Sequence, residues 1–430
     1  MDALTRLDAA AVATTVTALA ESGCNHSDAE LIDLITQLER LKNAAAAAQA
    51  RATVELREIR EAGARATGRS VKRVAASVAG EIGLARHESP HRGSVLVGLA
   101  AVLVGELPRT MAAFSAGEIS EWRATLVARE TACLSRADRA QVDAELAPQL
   151  AGMSTRQICA EARKAAYRLD PHSVVDRIGQ AVKDRRVTCR PAPDCMTYVS
   201  ALLPAVDGVA IIAALKQAAD TARAAGDARS KGQMMADTLT ARVTGKETAT
   251  DIEVEIQLVI TDEALLGDSD IPARLNGYGP IPAPIARGLA AEAVGKHQAW
   301  LRRLYVRPDQ GRLIAMESTR RHFPKGMKAF IEARDEVCRT PWCGAPIRHT
   351  DHVTPVHAGG ITSLTNGQGL CEQCNQIKEH PGWRHVVEPD GTVIVRTPTG
   401  HRHQSRPPDL PYEPKPAGFT VDFQHRRYAA

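Results

Sequence analysis

A chain of 430 residues, 44% apolar and 24% charged, is long enough for two or three domains with cores of their own. Its net charge is only +4, which excludes a polycation, and no run of ~18 or more apolar residues suggests a membrane span. Aromatic residues are scarce at 3% while alanine is abundant, which favours helices packed through small side chains over a β-sandwich.

The opening segment, MDALTRLDAAAVATTVTALAE, lacks a long apolar core behind a basic flank, so no signal peptide is expected. Residues 28–62 read as one long helix, with Leu31, Leu34, Leu38 and Leu41 at helical spacing beside Ile35 and an alanine run after them. Ser27, Asp28 and Glu30 supply its start signal. A helix lined with Leu and Ala is packing and names no chemistry. Residues 70–169 continue as shorter helices, among them Val95–Leu103 and Thr110–Ser115 around the break at Glu106-Leu107-Pro108. Ser154-Thr155-Arg156-Gln157 is a capping box that opens a helix through Tyr167, and Asp170-Pro171 ends it.

Residues 185–300 mix types: Arg186–Arg190 and Thr197–Ser200 read as strands, Val209–Ala225 as a helix. Ile252, Val254, Ile256, Leu258 and Ile260 alternate with polar residues, the pattern of a half-buried strand. A turn at Asn276-Gly277-Tyr278-Gly279-Pro280 precedes a helix from about Pro284 to Ala293. Leu301–Val306 with Gly311–Ala315 suggests a hairpin, as does Trp383–Val387 with Thr392–Arg396 across Pro389-Asp390-Gly391. From Pro398 the composition turns rich in Pro, His and Arg, and 398–430 is expected to be mostly irregular. The expected organisation is a mainly α region over 1–320, helical at 28–170 and mixed α/β at 185–320, then a small module at 325–397 and the tail. The long helices offer a surface for self-association.

The chemistry is concentrated near the C-terminus. Cys338-x4-Cys343 and Cys371-x2-Cys374 have knuckle spacing, with 27 residues between them for a hairpin that folds back. A tetrahedral structural zinc fits that pattern. Four unrelated buried cysteines, or a disulfide, are the alternatives. Cys24, Cys133, Cys159, Cys189 and Cys195 are scattered, which argues for reduced thiols and a cytoplasmic setting. Asp351-His352 lies between the pairs. Neighbours on a strand diverge, so one can ligate a metal while the other faces water. A neutral His suits general-base work, and a carboxylate suits magnesium or manganese. Asn366 sits at a turn and is able to pin the loop to the strand of His352. Asn375 is expected to open a helix, Asn375–Glu379, aiming its amide oxygen towards Asp351, with His380 as a rival ligand. Upstream, residues 302–328 hold Arg302, Arg303, Arg307, Arg312, Arg320, Arg321, Lys325 and Lys328 against Asp309 and Glu317, a patch suited to a phosphate backbone or a solvated face.

The pattern C-x4-C…DH…N…C-x2-C-N resembles the HNH endonuclease family, with its zinc-stapled ββα-metal fold, over about residues 330–388. GYGPIPAPIAR, the long Leu/Ala helix and TPTGHRHQSRPP resemble the "13E12 repeat" proteins of mycobacteria, which join a helical domain of unknown function, number 222, to an HNH module. The resemblance implies a DNA endonuclease or nickase, linked to mobile elements. It makes His352 the general base, Asp351 a ligand of the catalytic ion, and Asn366 the residue that orders the loop. Many members carry His-His and Cys-His where this chain has Asp351-His352 and Cys374-Asn375. The Asp…Asn variant resembles the HNH domain of RNA-guided and junction-resolving nucleases, where Asp and Asn hold magnesium. The departure leaves the third ligand to be chosen, Asn375 with His380 in reserve, and the basic stretch 302–328 with Lys378 is expected to hold flanking phosphates. The rival expectation is a DNA-binding module whose site is silent.

Overall fold

Side-chain caps decide where the N-terminal helices begin. In the computed structural model, which describes residues 8–23, 26–245, 258–267, 269–295, 317–318, 322–388 and 390–408, α1 (Ala9–Glu21) starts where Asp8 accepts the Ala11 N–H at 2.8 Å. The Leu/Ala pattern forms α2 (Asp28–Ala66), 39 residues long, with the Ser27 N–H donating to Glu30 at 2.8 Å. Then come α3 (Val71–Ala85), α4 (Pro90–Glu106), α5 (Pro108–Ser115), α6 (Glu121–Glu130), α7 (Arg136–Leu146) and α8 (Thr155–Leu169). Ser70, Ser120, Ser135 and Ser154 each accept a backbone N–H from three residues on, and Ser154 with Gln157 completes the capping box. Asp170-Pro171 ends α8 and also starts α9 (Pro171–Lys183). Asp170 accepts the Ser173 N–H at 2.9 Å, and Pro171 sits at the first helical position, where its missing N–H is not needed.

The middle of the chain holds the hairpin β1 (Arg186–Ala192) and β2 (Met196–Leu202), then α10 (Ala205–Ala224) and α11 (Lys231–Thr244), which pack together. The sequence reading passed over α11, although Ser230 and Gln233 form a second capping box. β3 (Leu258–Val259) is the described end of the alternating segment; residues 252–257 lie outside the described residues. After α12 (Asp262–Leu266), β4 (Ala273–Leu275) and β5 (Gly279–Ile281) turn about Gly277 at φ 78°, and α13 (Ala283–Gly295) follows. The hairpin expected over 301–315 also lies outside the described residues.

The last third comprises β6 (Glu317–Ser318), α14 (Lys325–Asp335), β7 (His349–His352), β8 (Thr362–Ser363), β9 (Gly367–Leu370), α15 (Glu372–Lys378), β10 (Arg384–Val387), β11 (Val393–Arg396) and β12 (Arg402–Ser405). β6 pairs with β8, β7 with β9, and β10-β11-β12 form one sheet, all antiparallel. β12 is a short strand within the segment from 398 expected to be mostly irregular; residues 409–430 lie outside the described residues. Thr397 accepts the Gly400 N–H and donates its own N–H to His401 C=O, so the chain turns at Gly400, φ 86°, and adds a third strand. The Pro/His/Arg composition concealed that alternation.

Contacts divide the chain into two units: Met1–Ile59 with Leu96–Val174, and Arg60–Val95 with Val175–Ala430. The first unit packs Ala47, Leu103, Leu107, Phe114, Ile119, Leu150 and Ile158 into one core. There the buried Asp143 of α7 accepts the N–H groups of Arg109 and Thr110 at 2.7 and 2.8 Å, capping α5 from outside. Among the described residues no single helix is long and apolar enough to cross a membrane; the bent pair α4/α5 passes by length and composition only.

In the second unit α3 is built into the C-terminal module. Leu84 is fully buried in one cluster with Val353, Ile377, Trp383, Val393 and Val395. The Trp383 indole N–H donates to Ser77 Oγ at 2.8 Å. A Cβ on Gly80 would stand 3.1 Å from Trp383 and 3.3 Å from Ile377, so the helix surface is bare where the ring lies against it. Buried Glu81 pairs with Arg60 at 2.9 Å. A Cβ on Gly93 would meet Ala79 C=O at 2.1 Å, so the start of α4 touches α3 backbone to backbone.

Leu84→Ala tests this shared core. Deleting a buried Leu side chain costs about 2–5 kcal/mol. The variant is expected to lower the unfolding transition of the C-terminal module, read by quenching of Trp383, by that much. A transition that stays where the wild type has it would separate α3 from the module.

Candidate functional site

Two knuckles bring four thiols together. The first turns through Trp342 and Gly344, at φ 58° and 60°, and the second opens α15. All four Sγ atoms lie within 4.8 Å of one another, with Cys343–Cys371 at 3.8 Å and Cys343–Cys374 at 3.6 Å. Zinc–sulfur bonds of about 2.3 Å in a tetrahedron set sulfurs roughly 3.8 Å apart, so the cluster has the spacing of a structural zinc site. Cys371 is the N-cap of α15 and accepts the Cys374 N–H at 3.4 Å. Hydrogen bonds from Cys338, then Cys343 and Cys374, hold its thiol far below the usual range, while Cys338 and the other thiols push Cys374 up. Negative sulfur at a helix N-terminus is favoured by the helix dipole. This cap also corrects the expected helix start: α15 begins at Glu372, one turn before the Asn375 start read from the sequence.

The hairpin pairs Asp351 with Gln368 and His352 with Gly367, so Asp351 and His352 take opposite faces of β7. On the His352 face, Gly367 leaves room: a Cβ there would meet Ile331 at 2.3 Å. The imidazole lies 4.4 Å from the Phe323 ring, and its Nε2 is 2.9 Å from Thr362 Oγ1. Burial, aided by the charges of Lys378 and His322 and opposed by Asp351, lowers its pKa and favours the neutral ring. α14 is fastened behind this hairpin. Arg334 donates to Leu364 and Gly367 C=O, both at 2.7 Å, and buried Asp335 accepts the Gly369 N–H at 2.7 Å.

On the other face, Lys378 reaches back from α15 to Asp351 Oδ2 at 2.5 Å and to His352 C=O. Lys378 is buried, so it is turned inward and is not the free phosphate contact expected from sequence. Gln368 is fully buried, its Nε2 3.5 Å from both Asp351 Oδ2 and His385 Nδ1, and its Oε1 has no partner among the described residues. Desolvation, then the charge of Lys378, pushes His385 down to about 3. Asn375 is half-buried three residues before Lys378 and therefore shares its helix face. His380 has a buried Nδ1 with no partner among the described residues, and its pKa is lowered by burial and then by Arg73 on α3, so the charge it senses is not that of Asp351.

Asn366 is buried and closes the loop between β7 and β8. Its Oδ1 accepts the Thr354 N–H at 2.8 Å, and its Nδ2 donates to Thr354 C=O at 3.0 Å and Ile361 C=O at 2.8 Å. Gly360 is required beneath it, since a Cβ would lie 1.8 Å from Thr354 C=O. Of the basic patch, Lys325 and Lys328 are exposed on α14, and residues 302–316 and 319–321 lie outside the described residues. The sequence reading missed Gln368, Thr362 and His385. Gln368 was within reach, being the strand residue two beyond Asn366; for Thr362 and His385 the sequence held no signal.

The model of the family "Domain of unknown function (DUF222)" matches residues 35–335, and that of "HNH endonuclease" matches 338–380. Uncharacterized protein Rv3776 of Mycobacterium tuberculosis is 32% identical over 143 residues, 31% of this chain and 24% of the relative. Uncharacterized protein Rv2100 of the same organism is 37% identical over 81 residues, 18% of this chain and 14% of the relative. The chain thus spans a quarter or less of the length of these curated relatives. No solved structure matches.

Cys371→Ser removes both a sulfur and the helix cap. The variant is expected to lose bound zinc by elemental analysis and, with it, the folded state of the C-terminal module, because such sites supply folding energy. Wild-type protein in reducing buffer without zinc would refute the assignment. Asn366→Ala leaves the Thr354 N–H and C=O and the Ile361 C=O without their partner, at about 1–3 kcal/mol for each group left unsatisfied. A fall in melting temperature is the expected readout.

Proposed function

The chain belongs to the DUF222 family and carries an HNH endonuclease domain after the family region, and on that premise we propose that it is a metal-dependent nuclease that hydrolyses DNA phosphodiester bonds. The observation that carries the reading is the pairing of Asp351 and His352 on opposite faces of one short strand, beside a helix capped by the thiol cluster. It supports a carboxylate for a cation on one face of the strand and an imidazole for a proton on the other. The donor set fits a hard divalent ion, magnesium or manganese. Asp351 offers a carboxylate, Asn375 an amide oxygen on the helix face of Lys378, and the unpartnered Gln368 Oε1 is a further buried oxygen on that side. When bound, such an ion offsets charge on the phosphate and the leaving 3′-oxygen.

The chain's own residues do the rest. His352 takes the proton from the attacking water, and its lowered pKa keeps the ring able to accept it. Thr362 fixes the ring at Nε2 and Phe323 fixes its plane. Lys378 holds Asp351 in place and would share that carboxylate with the ion. The four thiols hold a structural zinc apart from the reaction. A second reading, a zinc-stabilised DNA-binding protein with a silent site, is favoured by one observation: Lys378 already neutralises Asp351.

Plasmid nicking by the purified chain separates the two. Cleavage with magnesium that EDTA abolishes is expected, and DNA binding with no cleavage under either condition selects the second reading. His352→Ala is expected to lower the cleavage rate roughly 10²–10⁴-fold with binding intact. Near wild-type cutting would remove His352 from the role of base. Asn375→Ala is expected to raise the magnesium needed for half-maximal cleavage more than His380→Ala does. If His380→Ala is the inactive variant, the ligand assignment moves to the imidazole and the metal to a softer ion.

A further inference from the structure

The sheet β10-β11-β12 sets three arginines abreast. Arg384 is the register partner of Arg396, and Arg396 is the register partner of Arg402. Directly opposed residues share a face, and adjacent strands lie roughly 4.8 Å apart, so the three side chains leave one face in a single row about 10 Å long. All three are exposed. The next row on that face, Val386, Ile394 and Gln404, is exposed or half-buried. The opposite face turns Val393 and Val395 into the core shared with Leu84.

Like charges directly opposite each other destabilise a sheet. Nothing described offsets them here. None of the three arginines is in an ion pair among the described residues, whereas Arg406, just past β12, pairs with Asp390 at 3.2 Å. A charged row that weakens its own sheet and has no internal partner fits an anion from outside. The anion has to be extended as well. Three guanidinium groups in line suit a chain of phosphates, which duplex DNA presents at one charge per ~1.7 Å of axis, and the guanidinium fork matches phosphate oxygens. The row lies on the outer face of the sheet, while His385 on the inner face stands beside Gln368, the β9 partner of Asp351. It therefore contacts backbone away from the cut.

We propose that Arg384, Arg396 and Arg402 form a sequence-independent docking row for a nucleic-acid phosphate backbone, separate from Asp351 and His352. The proposal rests on the nuclease reading and adds the surface that holds the substrate. The test uses the full chain in EDTA, so that nothing is cut, with anisotropy of a labelled DNA duplex measured between about 50 and 200 mM salt. The triple variant R384Q/R396Q/R402Q is expected to bind more weakly, with the slope of log affinity against log salt shallower by up to about 2.7, at 0.9 per phosphate contact. Its melting temperature is expected to hold or rise, since repulsion is removed. Arg396→Gln alone is expected to take about 0.9 from the slope, which keeps the test open should the triple variant misfold. A wild-type slope in both variants overturns the row, as does binding of the wild type to anionic vesicles, but not to DNA, through these arginines. A wild type that binds no nucleic acid overturns the nuclease reading itself. A triple variant that binds weakly yet still nicks at low salt supports the separation from the catalytic pair.

Discussion

Four sulfur atoms set the geometry of the C-terminal module. Its strands run two to four residues and α15 only seven, lengths that do not stand alone in water. The cluster ties the turn at Trp342 to the N-terminus of α15, next to fully buried Leu370 at the end of β9. Once that helix end is fixed, its other residues have determined directions. Ile377 enters the core beside Trp383, Lys378 reaches Asp351, and Asn375 rides on the same face as Lys378. α14 is bound to the hairpin region by Arg334 and Asp335 rather than by sulfur: the two side chains pair with each other and together hold three backbone groups, of Leu364, Gly367 and Gly369. The site is thus positioned from two sides, by a thiol group at one end and a buried charge pair at the other.

Much of the fold was legible because its signals are local. The capping box at Ser154, the Leu/Ala stripe of α2 and the turn signal at Asp390-Gly391 depend on neighbours in sequence, and each marks an element in the structure. What was not legible depends on partners far away. The apolar stripe of α3 announces a buried face but not that Trp383 and Val395 cover it. Gly80 reads as a weak point in a helix, and only the indole ring against it explains its absence of a side chain. β12 was lost for a related reason: Arg402, His403, Gln404 and Ser405 alternate in burial, yet all four are polar, so hydrophobic periodicity cannot detect them.

The candidate site divides along the same line. Motif spacing brought out Cys338, Cys343, Cys371, Cys374, Asp351, His352 and Asn366, because ligand and loop chemistry leave fixed intervals. Register then decides the rest. Gln368 stands across from Asp351 only because β9 pairs with β7 as it does, and Gly367 across from His352 leaves the space that Ile331 and Phe323 occupy. Lys378 shows how the same residue type takes a different role with burial. A lysine near a phosphate-cutting motif suggests an outward charge, whereas here desolvation and two oxygen partners turn it into a strut for Asp351.

The shared core of α3 and the C-terminal strands also orders events during synthesis. Leu84 leaves the ribosome about three hundred residues before Val395, which at roughly 5–20 residues per second is a wait of ~15–60 s. Until then the face carrying Ser77, Gly80 and Leu84 has none of its native C-terminal cover, because its partners lie between Val353 and Val395. A nascent chain of this kind keeps an apolar helix face waiting for strands some three hundred residues downstream, and the closure of that long loop is the step that completes the HNH module.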